Sequence, residues 1–204
     1  MMTSTEVIRK ACVFDLDAAV DLIEKGFATD DNQKLLGKRV LRAIYDLILE
    51  SKDTIFFVAE FEGRVVSIIW VQIREQIFLK YFFSPVKALK LAWFLFRERK
   101  FPILIKIISQ DSYSGETAAY PRIVSLIVAA QFRRHGLGSK LIEESLRKLK
   151  ARGEKSCFVA TGFDNKASVD FYKRNGFSVI RSDQKQVMFE IKLPETKSRR
   201  PEKT

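Results

Sequence analysis

The residues best suited to chemistry form a short glycine- and arginine-rich stretch in the second half of the chain. Arg133, Arg134 and His135 precede Gly136, and Gly138 follows after one leucine. An apolar run typical of a buried strand comes before this stretch, and a segment with leucines at helical spacing begins directly after it. The free N–H groups of a first helical turn and the helix dipole favour an anion at such a junction. Because glycine lets the anion approach the backbone, we predict a phosphate-binding loop.

Two better-known phosphate motifs do not fit this stretch. It lacks the third glycine of a dinucleotide-binding fingerprint, and Ser139 precedes Lys140, whereas a P-loop has lysine first. Taken alone, the stretch therefore suits a plain tight turn as well as it suits an anion site.

A second cluster narrows these alternatives. Asn165 and Ser168 are followed by Phe171 and Tyr172, and an asparagine-glycine-phenylalanine triplet comes next. The two clusters have the patterns R-x-x-G-x-G and N-x-x-S-x-x-F-Y-x-x-x-G-F. With both patterns present, the chain resembles the GNAT family of acyl-CoA-dependent N-acetyltransferases over roughly residues 54–193.

The resemblance implies a binding site for acetyl-CoA. Backbone groups at the end of the central strand would hold the pantetheine arm like an added strand, and they belong to Leu126, Ile127 and Val128. The loop that cradles the CoA pyrophosphate would comprise Arg133, Arg134, His135, Gly136, Leu137, Gly138 and Ser139. Asn165 would hydrogen-bond the cofactor arm, although an asparagine at this position also suits a simple helix cap.

The resemblance also implies direct attack of an amine on the thioester carbonyl. Tyr172 would stand near the sulfur and donate a proton to the leaving thiolate, as the catalytic residue. A backbone N–H near Val128 would stabilise the oxyanion. The alternative for Tyr172 is an ordinary half-buried aromatic residue. His135, the only histidine, is expected to be an exposed loop residue rather than a catalyst.

One departure from the family pattern concerns the general base. Many members carry a glutamate early in the central strand, whereas residues 121–125 read Pro-Arg-Ile-Val-Ser in this chain. Glu75, Asp111 and Glu116 lie nearby in sequence, and Ser125 could order a water. The sequence does not decide among them.

The elements that must position these residues follow from hydrophobic periodicity. Strands are predicted at 6–13, 54–61, 65–73, 120–129, 155–161, 177–181 and 186–193, and helices after a capping Asp15, around 36–47, at 137–152 and at 166–174. This order predicts an α+β fold, GNAT-like, with a mixed, mostly antiparallel central sheet flanked by helices. We expect one domain over residues 1–193 and a disordered basic tail at 194–204.

Residues 76–112 form an insertion before the central strand that is apolar, basic and predicted to be helical. Pro85 can start a helix in which Val86, Leu89, Trp93 and Phe96 recur at helical spacing, and a second short helix is predicted at 103–108. Three roles fit the insertion. It is a packed subdomain or homodimer surface, a lid over the acceptor pocket, or a basic amphipathic element that places 84–108 on an anionic membrane.

Composition limits the remaining classes of function. The formal charge of +11 predicts an anionic partner such as a nucleotide cofactor, nucleic acid or acidic lipid. Two cysteines are too few for a disulfide framework or a metal cluster, so we expect no metal and a reducing compartment. The N-terminus has no apolar signal core and no stretch is long enough to span a membrane, which indicates a cytoplasmic protein.

These observations predict an N-acetyltransferase that moves acetyl from acetyl-CoA to a primary amine, such as a small molecule or amino sugar. The first alternative is a non-catalytic acyl-CoA-binding module, which the missing carboxylate favours. The second is a basic nucleic-acid-binding domain. It is disfavoured, because most aromatic residues lie in apolar runs rather than among arginines.

Overall fold

A single seven-stranded sheet connects the described parts of the protein. The computed structural model describes residues 6–26, 36–74, 85–102 and 120–194. The strands are β1 (Glu6–Lys10), β2 (Thr54–Phe61), β3 (Arg64–Gln72), β4 (Arg122–Val128), β5 (Ser156–Gly162), β6 (Ser178–Ser182) and β7 (Gln186–Lys192). The helices are α1 (Leu16–Gly26), α2 (Lys38–Glu50), α3 (Pro85–Arg97), α4 (Leu137–Ala151) and α5 (Lys166–Arg174).

The strand order across the sheet is β1-β2-β3-β4-β5-β7-β6. Every neighbouring pair is antiparallel except β4 and β5, which are parallel. This topology confirms the predicted α+β fold with a mixed, mostly antiparallel sheet flanked by helices. The element order is also as predicted, and the strand expected to reach Val13 ends at Lys10.

Helices cover both faces of the sheet, which explains why the central strands β2 and β3 are apolar on both sides. On one face, α4 and α5 pack over a cluster that we call the α4 core, which includes Leu137, Leu141, Ile142, Tyr172, Ile55, Phe57, Ile69 and Phe189. On the other face, α1 and α2 pack over the α1 core, which includes Leu16, Ile23, Val40, Ile44, Tyr45, Phe56, Ile68 and Trp70.

The predicted helix of the insertion is present as α3, and it packs on the α1 core. Leu95 is buried there, with Leu91 and Phe94 partly buried beside it. The apolar residues that recur at helical spacing in the sequence are exposed on the outer side of α3 instead, and they are Val86, Leu89, Trp93 and Phe96. The second predicted helix, at 103–108, and the tail beyond Pro194 lie outside the described residues. None of the described helices combines the length and the apolar composition needed to cross a bilayer.

A partly buried ion pair joins β1 to the turn that leads into α1. Both terminal nitrogens of Arg9 donate to the Asp15 carboxylate at 2.7 Å, and Arg9 Nε donates to Glu60 Oε1 at 3.1 Å. The prediction that Asp15 caps the first helix is wrong, because a short 3-10 turn, Val13–Asp15, precedes α1. The Asp15 carboxylate reaches back instead and accepts from the Cys12 N–H at 2.7 Å.

The pKa of Asp15 lies below its ordinary value. Burial of this carboxyl acts in the opposite direction, but the hydrogen bonds from Arg9 and Cys12 together outweigh it. Arg9 and Asp15 therefore stay ionised and paired at neutral pH, and they fix the chain where it leaves the edge strand and enters α1.

Replacing Arg9 with methionine should leave the buried Asp15 carboxylate without its partner. We expect Arg9→Met to lower the free energy of unfolding by about 2 kcal/mol at neutral pH, a figure reduced because Arg9 is itself partly exposed. Since the folded pKa of Asp15 is lowered, the pairing stabilises the protein above the ordinary aspartate pKa of about 3.9. The stabilisation is lost as the pH falls through the folded value.

Urea denaturation of both proteins from neutral to acid pH measures this difference. Arg42→Met is the matched control, because Arg42 pairs with the well-exposed Asp17 and should change stability by less than about 1 kcal/mol. A stability difference for Arg9→Met that stays constant down to acid pH would contradict the role of Asp15.

Candidate active site

The parallel strands β4 and β5 separate after two residue pairs. Arg122 lies opposite Phe158 and Ile123 lies opposite Val159, and the strands then continue without further pairing through Val128 and Gly162. The separation begins at a bulge, because Val124 has no partner in the register of β4 with β3. A bulge bends its strand, so a gap opens in the middle of the sheet.

The end of β4 presents backbone groups to this gap. Ala129 N–H donates to Val66 O at 2.9 Å, so alternate residues here direct their backbone groups to β3. Ile127 is one of these, and its carbonyl also accepts from Ser67 Oγ at 2.7 Å. The backbone groups of Leu126 and Val128 consequently face the gap. The geometry favours these two residues over Ile127 as backbone partners for an extended ligand.

The predicted phosphate loop connects β4 to α4 with two residues in left-handed conformations. Arg134 has φ 67° and Gly136 has φ 79°. Left-handed residues in a turn let neighbouring N–H groups point into one concavity, which is how backbone amides bind anions. Gly136 is the N-cap residue of α4, and as a glycine it has no side chain to cap this end of the helix. The N–H groups of the first turn therefore remain available to a ligand.

The charges around the loop are positive. Arg133, Arg134 and His135 are exposed, and the first turn of α4 carries no acidic residue. Arg133 Nε donates to Val128 O at 3.1 Å, which places this guanidinium beside the gap, and the His135 ring bonds to Arg133 O at 2.9 Å. Positive side chains, a helix N-terminus and a left-handed turn are together chemically suited to a phosphate group.

Gly138 is the point where three elements meet. A Cβ built at this position would lie 3.1 Å from the Phe171 ring of α5 and 3.6 Å from Val128 Cγ2 of β4. Ser139 and Leu137 flank it on α4, with Leu137 in the α4 core. The glycine thus lets the start of α4, the end of β4 and the face of α5 come together at the gap.

Asn165 lies between the end of β5 and the start of α5. Its Oδ1 accepts from the Ser168 N–H at 3.1 Å, so it is the N-cap residue of α5. This is the structural role that the sequence also allowed. A cofactor contact by the other amide atom of this exposed side chain stays a prediction.

Tyr172 is buried among aromatic rings on the inner face of α5. The rings of Phe171, Phe177 and Phe189 lie with their centroids 5.3, 5.6 and 5.8 Å from that of Tyr172. Burial, and secondarily the nearby Cys157 thiol, raises the pKa of Tyr172 well above its ordinary value. The phenol therefore stays protonated at neutral and mildly alkaline pH, which is the form needed to donate a proton.

The carboxylates considered for the general base, Glu75, Asp111 and Glu116, lie outside the described residues. Ser125 is described, and it lies beside the bulge directly opposite Trp70 of β3. Both side chains are buried, and in the described structure neither Ser125 Oγ nor Trp70 Nε1 has a hydrogen-bond partner. Buried polar atoms of this kind commonly hold a water.

Trp70 is absent from the residues predicted for the site. Its position opposite Ser125 depends on the bulge, and the alternation of apolar residues in the sequence gives no sign of where strand pairing slips. The one available signal in the sequence was Ser125, a single serine within the apolar run 123–128.

Residues 20–177 match the family model described as the Acetyltransferase (GNAT) family. The chain is 35% identical to N-alpha-acetyltransferase 30 of Schizosaccharomyces pombe over 35% of this chain and 47% of that protein. It is 24% identical to an uncharacterized N-acetyltransferase of Methanocaldococcus jannaschii over 86% of this chain and 62% of that protein. The chain thus spans less than two thirds of the length of both curated relatives.

The fold is similar to that of a solved structure, the PaiA N-acetyltransferase of Thermoplasma acidophilum in complex with coenzyme A. The TM-score is 0.62 with 16% sequence identity, and the match covers 92% of this chain and 99% of that chain. At this identity the likeness establishes the fold.

The two cysteines should differ sharply in reactivity, because Cys12 is exposed and Cys157 is fully buried next to Tyr172. Burial raises the pKa of the Cys157 thiol to about 12. Only the thiolate reacts, so an aromatic disulfide reagent should modify one thiol per folded chain at mildly alkaline pH and two after denaturation. The Cys12→Ser variant should show no fast thiol. A fast-reacting thiol in that variant would be Cys157, and it would mean that the core around Cys157 and Tyr172 is open to solvent.

Proposed function

This chain belongs to the acetyltransferase (GNAT) family, and on that premise we propose that it transfers an acetyl group from acetyl-CoA to a primary amine. The observation that carries the proposal is the gap between β4 and β5, which opens beside the uncapped N-terminus of α4. An extended chain with amide groups and a diphosphate at one end matches the two halves of this site, and CoA has that form.

In the proposed complex, the diphosphate lies on the N–H groups of the loop 134–136 and the first turn of α4, with Arg133 and Arg134 supplying charge. The pantetheine amides pair with the backbone of Leu126 and Val128 as an added strand would. Asn165, at the end of β5, donates to the same arm through its amide nitrogen. The thioester then lies deep in the gap, near α5.

The proposed reaction is a direct transfer. The amine lone pair attacks the thioester carbonyl carbon, and a backbone N–H near Val128 stabilises the oxygen as it becomes negative. When the carbonyl re-forms, the C–S bond breaks and Tyr172 donates its phenolic proton to the departing thiolate. The nitrogen loses a proton to water, and a solvent proton restores the phenol.

The acceptor amine must be neutral before it attacks, so its proton needs a route out of the site. We infer that a water held by Ser125 Oγ and Trp70 Nε1 begins this route, because both buried atoms need a partner. No carboxylate lies on β4 between Arg122 and Val128. In this proposal a water chain takes the place of the glutamate that many family members carry there.

The first test addresses cofactor binding through Gly136. An alanine there would be strained, because φ is 79°, and the strain should disturb the N–H groups that face the diphosphate. We expect Gly136→Ala to weaken the affinity for CoA by roughly tenfold, equivalent to one lost charge-assisted hydrogen bond. Calorimetric titration with CoA measures the affinity.

Gly153→Ala is a matched control for this test. Gly153 also has φ 79°, follows the other end of α4, and has no atom within 4 Å of a built Cβ, as is true of Gly136. Both variants should therefore lose about 1 kcal/mol of stability from backbone strain. Equal CoA affinities in the two variants would remove the loop from the cofactor site.

The second test addresses the acid role of Tyr172. Tyr172→Phe keeps the ring packing of the aromatic cluster, so the affinity for acetyl-CoA should change little. Turnover should fall by about 10²-fold, the usual contribution of a positioned general acid. Steady-state kinetics with calorimetric titration separate the two effects.

Tyr120→Phe serves as the control, since Tyr120 lies just before β4 at the closed end of the gap, with its ring 5.2 Å from the Arg122 guanidinium carbon. Turnover should be unchanged in that variant. If Tyr172→Phe also retains full turnover, the phenol is a packing residue and the thiolate leaves without its help.

The absence of a carboxylate on β4 favours one alternative, a module that binds acyl-CoA without transferring the acyl group. The two functions differ in thiol release. A transferase liberates CoA thiol when it is mixed with acetyl-CoA and an amine panel that includes peptide α-amines and amino sugars. Tight CoA binding with no thiol released from any of these amines would support the binding module.

A further inference from the structure

The helix α3 has apolar side chains on two opposite faces. Leu95, Leu91 and Phe94 attach it to the α1 core. On the other face, Val86, Leu89, Trp93 and Phe96 are 77%, 73%, 57% and 73% exposed, and we call these four residues the exposed stripe. Their spacing of three, four and three residues places them along one line of the helix. A contiguous line of large exposed apolar side chains commonly marks an interaction surface.

Basic residues accompany the exposed stripe. The sequence from Pro85 to Pro102 contains five lysines and arginines against one glutamate. Arg97 directly follows the stripe and is exposed, as are Arg99 and the ring of Phe101 in the turn beyond. Large apolar side chains with tryptophan, bordered by cationic groups, are the composition of helices that lie in a lipid headgroup region.

We propose that the exposed stripe of α3 docks this protein on an anionic lipid bilayer, with α3 lying parallel to the membrane plane. The 13-residue helix is about 20 Å long, too short to cross the hydrocarbon core but long enough to place four side chains at one level. The apolar side chains enter the headgroup boundary, and Arg97 and Arg99 contact lipid phosphates.

Charge complementarity favours the membrane over a second copy of the chain as the partner. Two copies that met through α3 would bring two basic helices together, and each chain carries a formal charge of +11. Like charges of this size oppose association. An anionic bilayer offers the opposite sign to the same surface, together with an apolar layer beneath its headgroups.

Vesicle flotation and tryptophan fluorescence test the proposal with the full chain. The probes are vesicles of phosphatidylcholine mixed with phosphatidylglycerol, and vesicles of phosphatidylcholine alone. The chain has two tryptophans, of which Trp70 is buried and Trp93 lies in the stripe. We therefore expect Trp93 emission to shift to shorter wavelength with the anionic vesicles, and the shift should weaken as salt is added.

The contribution of the apolar side chains to vesicle binding is tested by the double variant Leu89→Ser with Phe96→Ser, which keeps Trp93 as the fluorescent reporter. Both residues are exposed, so the folded state should tolerate the changes. The matched control is Val179→Ser with Ile180→Ser, two exposed apolar residues on the edge strand β6. We expect vesicle affinity to fall at least tenfold in the stripe variant, because two large apolar groups are lost, and to stay unchanged in the control.

The contribution of the basic residues to vesicle binding is tested by the double variant Arg97→Gln with Arg99→Gln. The control is Lys148→Gln with Lys155→Gln, which changes two exposed lysines elsewhere on the protein. About 1 kcal/mol per basic residue at an anionic surface corresponds to a loss of on the order of tenfold or more for the first pair. The control pair should leave vesicle affinity within about threefold of the parent.

Three results would overturn the proposal. The first is equal vesicle affinity for the stripe variant and its control. The second is acrylamide quenching that finds Trp93 shielded without vesicles, since another part of the chain would then cover the stripe. The third is a dimer in sedimentation without lipid that dissociates in the Leu89→Ser, Phe96→Ser variant, because the stripe would then bind a second copy. None of these readouts depends on acetyl transfer.

Discussion

Neighbouring strands inside a sheet normally satisfy each other's backbone groups, and β4 and β5 do so only at Arg122 and Ile123. Beyond that point the backbone groups of Leu126 and Val128 have no partner strand among the described residues, and Val128 O accepts from the Arg133 side chain instead. Unpaired backbone groups at the centre of a fold are costly unless a ligand or water meets them. The gap can therefore accept an extended ligand along the edge of β4, and the loop, α4 and α5 are arranged around it.

The site is held open by the same packing that holds the fold together. Gly138 allows α4 to approach β4 and α5 closely, and Leu137 and Leu141 continue that contact into the α4 core. Tyr172 belongs to the same core, so the position of its phenol is fixed by the rings around it. Leu137 and Tyr172 are thus assigned both to the candidate site and to the core.

Much of this arrangement could be predicted from the sequence, because it depends on local patterns. The leucine period of α4, the glycines before it and the Asn165 cap are all features of short segments, and the structure has them where the patterns place them. Three features depended on tertiary contacts instead. The bulge at Val124 is defined by pairing with β3, and the Asp15 carboxylate accepts from Arg9 and the Cys12 N–H. In α3 both faces carry apolar residues, so the spacing of these residues in the sequence could not show which face packs on the α1 core.

The bulge in β4 has a consequence for how this strand can vary. On either side of Val124 the alternation changes phase, so that Ile123 joins the α4 core while Ile127 joins the α1 core. Changing one side chain for another leaves this phase intact. Gaining or losing a single residue in β4 would exchange the two sets of neighbours and turn Leu126 and Val128 away from the gap. Homologous chains should therefore differ in the composition of this segment and keep its length.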